Sequence, residues 1–107
     1  MFEVLRYQAT NGYEPFTEWI EGIQDKQAQI RLRIRLQRLE SGLFGDWVSI
    51  GEGIVEMREH HGAGFRIYLG RHRRTIVILL CGGTKRTQAR DIKKAREYWS
   101  EWKRRQT

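Results

Sequence analysis

Apolar residues at alternating and then helical spacing predict a strand followed by a helix at the start of the chain. An opening segment with Phe2 and Val4 alternates as a strand does and ends before a turn dipeptide at residues 11–12. Apolar side chains then recur at helical spacing behind Pro15, a residue that suits the first turn of a helix. This pattern predicts a first helix over residues 15–23.

The next segment, residues 30–36, is ambiguous because apolar residues alternate with polar ones as in a half-buried strand. Helix-forming residues, a capping candidate at Asp25 and the lack of a breaker before Gly42 favour a helix. Such a helix has two apolar stripes, one of which faces the core. We predict that the other, with Ile30 and Ile34, packs against the first helix; a protein partner is the alternative.

Three strand-like segments follow a glycine-rich region, at residues 54–59, 65–69 and 75–81. The first two alternate, and the third is apolar throughout, as in a strand covered on both faces. Their short connections predict an antiparallel meander, and helical spacing after Thr87 predicts a last helix. The predicted fold class is α+β: one domain over residues 1–107, in the order β-α-α-β-β-β-α, with helices packed on a largely antiparallel sheet.

The charge distribution suggests a polyanionic partner. The net charge is +7, yet the first 30 residues hold 2 basic and 5 acidic side chains, which leaves 18 basic and 8 acidic side chains in the remainder. Nucleic acid is favoured over a membrane surface, with solubility charge as the alternative. The single cysteine excludes an intramolecular disulfide, and no secretory signal or apolar span of about 20 residues is visible. We expect a soluble, cytoplasmic protein.

Histidine, cysteine, glycine and tryptophan often act in catalysis or ligand binding, but in this chain most of them are predicted to have structural roles. No metal or cofactor is expected, because four side chains lack the spacing of zinc ligands: His60, His61, His72 and Cys81. We expect the first two histidines to be exposed loop residues. The glycines of residues 62–64 and 82–83 lack phosphate-loop spacing and are predicted to be turn residues. Trp47, expected in a loop, is a weak candidate for stacking a base.

A cationic cluster is the stronger candidate site. Period-two alternation places Arg66 and Tyr68 on one face of the sheet, and antiparallel pairing of the neighbouring strand would bring Arg58 to the same face. Two guanidinium groups and a phenol can bind a phosphodiester and stack a base. Solvated strand charges are the alternative interpretation.

Four segments of the chain resemble the RelE/ParE-like toxins of bacterial toxin-antitoxin modules, and within them the HigB-like addiction module killer proteins. They read VEMRE at 55–59, GAGFRIYLG at 62–70, TIVILLCGGTKRTQ at 75–88 and DIKKAREYW at 91–99. The resemblance implies a small basic endoribonuclease that cleaves mRNA on the ribosome. It implies metal-free attack of a 2′-hydroxyl on the adjacent phosphate, which yields a 2′,3′-cyclic phosphate and a 5′-hydroxyl.

On this sequence the family's positions fall on Arg58, Arg66 and Lys85, with Tyr68 as a lesser candidate for base stacking or proton transfer. Lys85 could clamp phosphate or act as a base, and no catalytic histidine is expected. Further cations are predicted to contact RNA: Arg71, Arg73, Arg74, Arg86, Lys93 and Lys94.

The expected partners are mRNA, the ribosome and a helix-turn-helix (HigA-like) antitoxin, whose complex with the toxin would bind operator DNA. ParE-like inhibition of DNA gyrase and an inactive nucleic-acid-binding relative are the alternatives.

Overall fold

The computed structural model describes residues 1–106 and confirms an α+β fold in the predicted order, with one additional short strand. Five strands and three α-helices are present in this range, and a short 3-10 helix, Lys85–Thr87, leads into the last of them. The elements are β1 Glu3–Arg6, α1 Pro15–Glu21, α2 Lys26–Glu40, β2 Trp47–Ser49, β3 Ile54–Glu59, β4 Phe65–His72, β5 Ile76–Thr84 and α3 Gln88–Arg105. No helix within residues 1–106 is both long and apolar enough to cross a bilayer.

The five strands form one sheet in the order β1-β5-β4-β3-β2. The strands β2 to β5 pair antiparallel as a meander, whereas β1 lies parallel to β5 at the edge. The additional strand β2 contains Trp47, which therefore lies in an edge strand and not in a loop. Trp47 is 42% exposed, and its ring meets Phe44 edge-on.

Two apolar layers enclose the sheet, because β5 points alternate side chains to opposite faces. Val77 and Leu79 join the layer under α1 and α2, whereas Ile78 and Leu80 join the layer under α3. Trp99 of α3 packs in the second layer and is 3% exposed. A central strand that is apolar on both faces is thus confirmed.

The two N-terminal helices agree with the sequence in position but not in packing. Asp25 caps α2 by accepting a hydrogen bond from the amide of Ala28 at 3.1 Å, and α1 ends at Glu21, two residues early. The prediction that α1 covers the second stripe of α2 is wrong: Ile30 is 53% exposed and Ile34 is 40% exposed. A seven-residue α1 packs mainly on β5 and leaves this stripe open.

Gly82 and Gly83 are strand residues, so the prediction that they form a turn is also wrong. The strand β5 continues to Thr84 because side chains from α1 and α3 pack directly on its glycines. A Cβ atom on Gly82 would lie 2.3 Å from the ring of Trp19. A Cβ atom on Gly83 would lie 1.7 Å from a carboxylate oxygen of Asp91. A side chain at either position would therefore push a helix away from the sheet.

Candidate nucleic-acid interface

A cleft of about 530 Å³ opens where β3 ends, β4 begins and β5 runs into α3. Its lining contains all three cations singled out from the sequence and, within residues 1–106, no acidic side chain. The lining residues are Arg58, His60, Gly62, Ala63, Gly64, Arg66, Lys85 and Gln88. The structure thus brings together three positive charges from three separate segments, an arrangement suited to an anionic ligand.

Strand register explains why these cations meet. Arg58 of β3 pairs with Arg66 of β4, and Arg66 pairs on its other side with Gly83 of β5. Two residues later Lys85 leaves the sheet, and its amide donates to the carbonyl of Gly64 at 2.7 Å. The loop before β4 and the segment after β5 are thereby tied together at the rim of the cleft.

The guanidinium of Arg66 is buried and incompletely hydrogen-bonded. The residue is 6% exposed, and Nε has no partner among the residues that the structure describes. Nη1 makes one long contact, 3.5 Å, to the carbonyl of Phe65. A buried donor without an acceptor is destabilising by about 1–3 kcal/mol, and more when it is charged. An anion in the cleft would supply the missing acceptor.

Arg58 is held by a buried carboxylate that also binds two neutral donors. Glu56 is fully buried and accepts hydrogen bonds from Arg58 Nε at 2.8 Å, Tyr68 Oη at 2.9 Å and Gln88 Nε2 at 2.8 Å. Burial by itself raises the pKa of the Glu56 carboxyl, but these hydrogen bonds outweigh burial and lower that pKa. Among residues 1–106, only Nε of the Arg58 side chain makes a hydrogen bond, so its two terminal nitrogens remain for a ligand, and the side chain is 33% exposed.

Tyr68 does not have the predicted stacking role. Its ring is 0% exposed, so no face is available to a base. Burial and the hydrogen bond to Glu56 raise the pKa of its hydroxyl, which argues against proton exchange with a substrate. The alternation that placed Tyr68 beside Arg66 is correct, but α3 covers this part of the face. Tyr68 positions Glu56 instead.

The cleft also contains a histidine that was predicted to be only an exposed loop residue. His60 lines the cleft, and its Nε2 lies 2.7 Å from Oδ2 of Asp46. The two-residue spacing of a strand could have indicated His60 as a site residue, because it follows Arg58 by two residues and lies just after β3. Nothing in the sequence pattern indicated Asp46, which is 14 residues away.

The other predicted RNA contacts are divided between two regions. Arg86 adjoins Lys85 in the 3-10 helix and is exposed, as are Lys93 and Lys94 on α3. Arg71 lies near the end of β4, and Arg73 and Arg74 lie in the β4–β5 turn, so all three are five or more residues from Arg66 along the hairpin. That separation is roughly 17 Å at about 3.3 Å per residue. Arg71 also stacks on Phe2 and Phe44, so these three arginines are not part of the cleft.

Cys81 lies outside this cleft and is unsuited to nucleophilic chemistry. It is 6% exposed, and burial, with a smaller contribution from Asp91, raises the pKa of its thiol to about 12. In the part of the chain that the structure describes, no group of three His, Cys, Asp or Glu side chains could hold a metal ion.

We predict that Cys81 of the folded protein reacts slowly with a thiol reagent such as a disulfide chromophore at pH 8. A raised pKa leaves little thiolate, so the rate should be at least about 100-fold below that of the urea-unfolded chain, whose thiol titrates near 8.5. Absorbance of the released chromophore measures both rates. Equal rates in the two states would contradict the burial of Cys81.

Fold and site together define a small α+β domain with a cationic cleft at one end of its sheet. No protein-family model matches the chain. It is 42% identical over 81 residues to an uncharacterized protein of Haemophilus influenzae, and the aligned region covers 76% of this chain and 82% of that relative. The chain belongs to the same family as that Haemophilus influenzae protein.

Proposed function

We propose that this protein is the toxin of a type II toxin-antitoxin module and acts in the cytoplasm as a metal-free endoribonuclease on ribosome-bound mRNA. The observation that carries the proposal is the cleft itself: Arg58, Arg66 and Lys85 line it, and no acidic side chain of the described residues does. The resemblance to RelE/ParE-like and HigB-like toxins supplies the reaction and the substrate.

The chemistry needs charge stabilisation on a phosphorane, which cations in a cleft supply. The terminal nitrogens of Arg58 and the buried guanidinium of Arg66 bind the two non-bridging phosphate oxygens. Lys85, at the mouth of the cleft, clamps the same phosphate. Attack by the 2′-hydroxyl then gives a cyclic phosphate and a free 5′-hydroxyl. Tyr68 and Gln88 act only by fixing Glu56, which in turn fixes Arg58.

Dependence on the ribosome follows from the openness of the site. The cleft has the lining to bind one phosphate group, but its described residues include no phenylalanine, tyrosine or tryptophan ring that would orient a base. Orientation of the reacting groups is worth several kcal/mol, and the ribosome would supply it by holding the message. We further propose a helix-turn-helix antitoxin as the partner that silences the protein and binds operator DNA with it.

The test is induction of the protein in bacteria, followed by mapping of mRNA 5′ ends by primer extension. We expect growth arrest with discrete cuts in translated messages, and we expect purified protein to cut mRNA on programmed ribosomes. An otherwise identical message with a single 2′-deoxynucleotide at the cut site should resist cleavage, because it lacks the nucleophile. A DNA-damage response without cuts would favour gyrase inhibition, and folded protein without growth arrest would favour an inactive relative.

A further inference from the structure

We propose that His60, oriented by Asp46, is the general base that accepts the proton of the attacking 2′-hydroxyl. The inference rests on the proposed nuclease function and assigns a residue to its proton transfer. His60 lines the cationic cleft, and Nε2 of its imidazole contacts Asp46, which is not among the lining residues.

The carboxylate fixes which nitrogen is free. Nε2 of His60 lies 2.7 Å from Oδ2 of Asp46, and an ionised carboxylate only accepts hydrogen bonds. Nε2 therefore carries the proton, and Nδ1 of the neutral ring keeps its lone pair. The same contact stabilises the imidazolium that forms when Nδ1 accepts a proton. His60 is 70% exposed, so a substrate can reach the ring.

Arg35 holds the Asp46 loop against the end of β3. Its guanidinium donates to the carbonyls of Asp46 at 3.1 Å, Phe44 at 3.0 Å and Arg58 at 2.6 Å. The amide of Arg58 donates in turn to the carbonyl of Asp46 at 2.9 Å. The backbone that carries the carboxylate is thus joined directly to the backbone that carries a phosphate-binding cation.

The other side chains of the cleft are poor bases. The guanidinium groups of Arg58 and Arg66 do not lose a proton, and the ammonium of Lys85 has no lone pair. Gln88 is occupied by Glu56, and Tyr68 is buried beneath the cleft. His60 is left as the lining residue with a free lone pair.

The reaction balances with water as the acid. The 2′-hydroxyl proton moves to Nδ1 of His60 while the bond from O2′ to phosphorus forms. The bond from phosphorus to O5′ breaks, and O5′ takes a proton from water. The hydroxide left behind recovers the proton from the imidazolium, so the enzyme returns to its starting state.

His61 provides a matched control. It too lies near a carboxylate, Asp25 at 3.5 Å, but it does not line the cleft. The remaining histidine, His72, packs edge-on against Trp102 and lies at the other end of β4. The general effect of replacing a histidine can therefore be distinguished from the effect of replacing the histidine that lines the cleft.

The experiment measures single-turnover cleavage of mRNA on programmed ribosomes by wild type, His60→Ala and His61→Ala. General-base catalysis contributes about 100- to 10,000-fold, so His60→Ala should lose at least 100-fold, and added imidazole should restore part of the rate. His61→Ala should stay within about threefold of wild type. An unchanged rate for His60→Ala, or a loss that imidazole does not relieve, would overturn the assignment. Wild-type protein that never cuts would instead refute the nuclease function.

Two further measurements separate the base from other roles. With a sulfur atom in place of the bridging 5′ oxygen, the leaving group needs no proton, and the His60→Ala defect should persist; its disappearance would make His60 the acid. Asp46→Asn should lower kcat and leave KM unchanged, because the phosphate-binding cations remain. An effect on KM alone would show that Asp46 serves binding and does not position the base.

Discussion

Arg66→Met is expected to slow RNA cleavage severely without lowering the free energy of unfolding. Cleavage should fall by about 100- to 1,000-fold, the usual loss when one preorganised donor to a developing anion is removed. Stability should stay equal or rise, because the variant removes a buried charge whose Nε has no partner in the described structure. Single-turnover cleavage and urea denaturation measure the two effects.

This combination distinguishes a functional arginine from a structural one. A guanidinium that served the fold would be fully hydrogen-bonded, and its removal would leave acceptors unpaired. In the described part of the chain the Arg66 guanidinium makes one long hydrogen bond, to the carbonyl of Phe65, so the fold gains little from its charge. A buried charge that the fold does not satisfy is expected where a ligand satisfies it.

The matched control is Arg74→Met, which makes the same charge change at the exposed β4–β5 turn. It should weaken association with RNA modestly and leave the cleavage rate at saturating message unchanged. If Arg66→Met cleaved normally, or if both variants lost cleavage equally, the cleft would not be the site of phosphate binding.

Of the substitutions discussed, Glu56→Ala is expected to give the largest loss in the free energy of unfolding. The substitution leaves the buried hydroxyl of Tyr68 and the side-chain amide of Gln88, at the start of α3, without their acceptor and removes the partner of Arg58. Two unsatisfied neutral donors suggest a loss of about 2–4 kcal/mol in the free energy of unfolding. Urea denaturation measures it. Tyr68→Phe, which removes a single hydrogen bond, should cost about 1 kcal/mol and serves as the milder variant if Glu56→Ala does not fold.

The Glu56 carboxylate also predicts that the free energy of unfolding depends on pH in the acid range. The pKa of Glu56 is lowered by folding, so its contribution is complete above the pKa of the unfolded chain, about 4.3, and is lost as pH falls through the folded value. The difference in unfolding free energy between wild type and Glu56→Gln should therefore shrink as pH falls from 7 towards 3. A difference that stays constant over this interval would show that the charge of Glu56 is not what stabilises the network.

The fold could be predicted from the sequence because most of its strands and helices have a clear pattern of apolar residues. Alternation identified β3 and β4, and an apolar run identified the doubly covered strand β5. The three-residue strand β2 was missed because it is too short to show a period. The extent of β5 was also missed, because glycine is a turn signal in sequence, whereas Gly82 and Gly83 are required by Trp19 and Asp91 above and below the sheet.

The candidate site could be predicted from the sequence only in part. Period two placed Arg58, Arg66 and Tyr68 on one face, and the register confirms that placement. Alternation carries no information on what covers a face, so Tyr68 was expected to be exposed although α3 buries it. The contact between His60 and Asp46 could not be predicted either, because a contact between residues 14 positions apart depends on how the intervening loop closes.

What the sequence alone determined is therefore local: the strands, the helices, the fold class and the face on which the cations lie, since each depends on spacing between near neighbours. The tertiary structure decided which side chains meet. Within residues 1–106, it buried Glu56 beneath Arg58, left Nε of Arg66 without an acceptor, set Asp46 against His60 and left the stripe of Ile30 and Ile34 uncovered. The physical reason is that burial, and with it the strength of every charge and hydrogen bond, depends on neighbours that are distant in the chain.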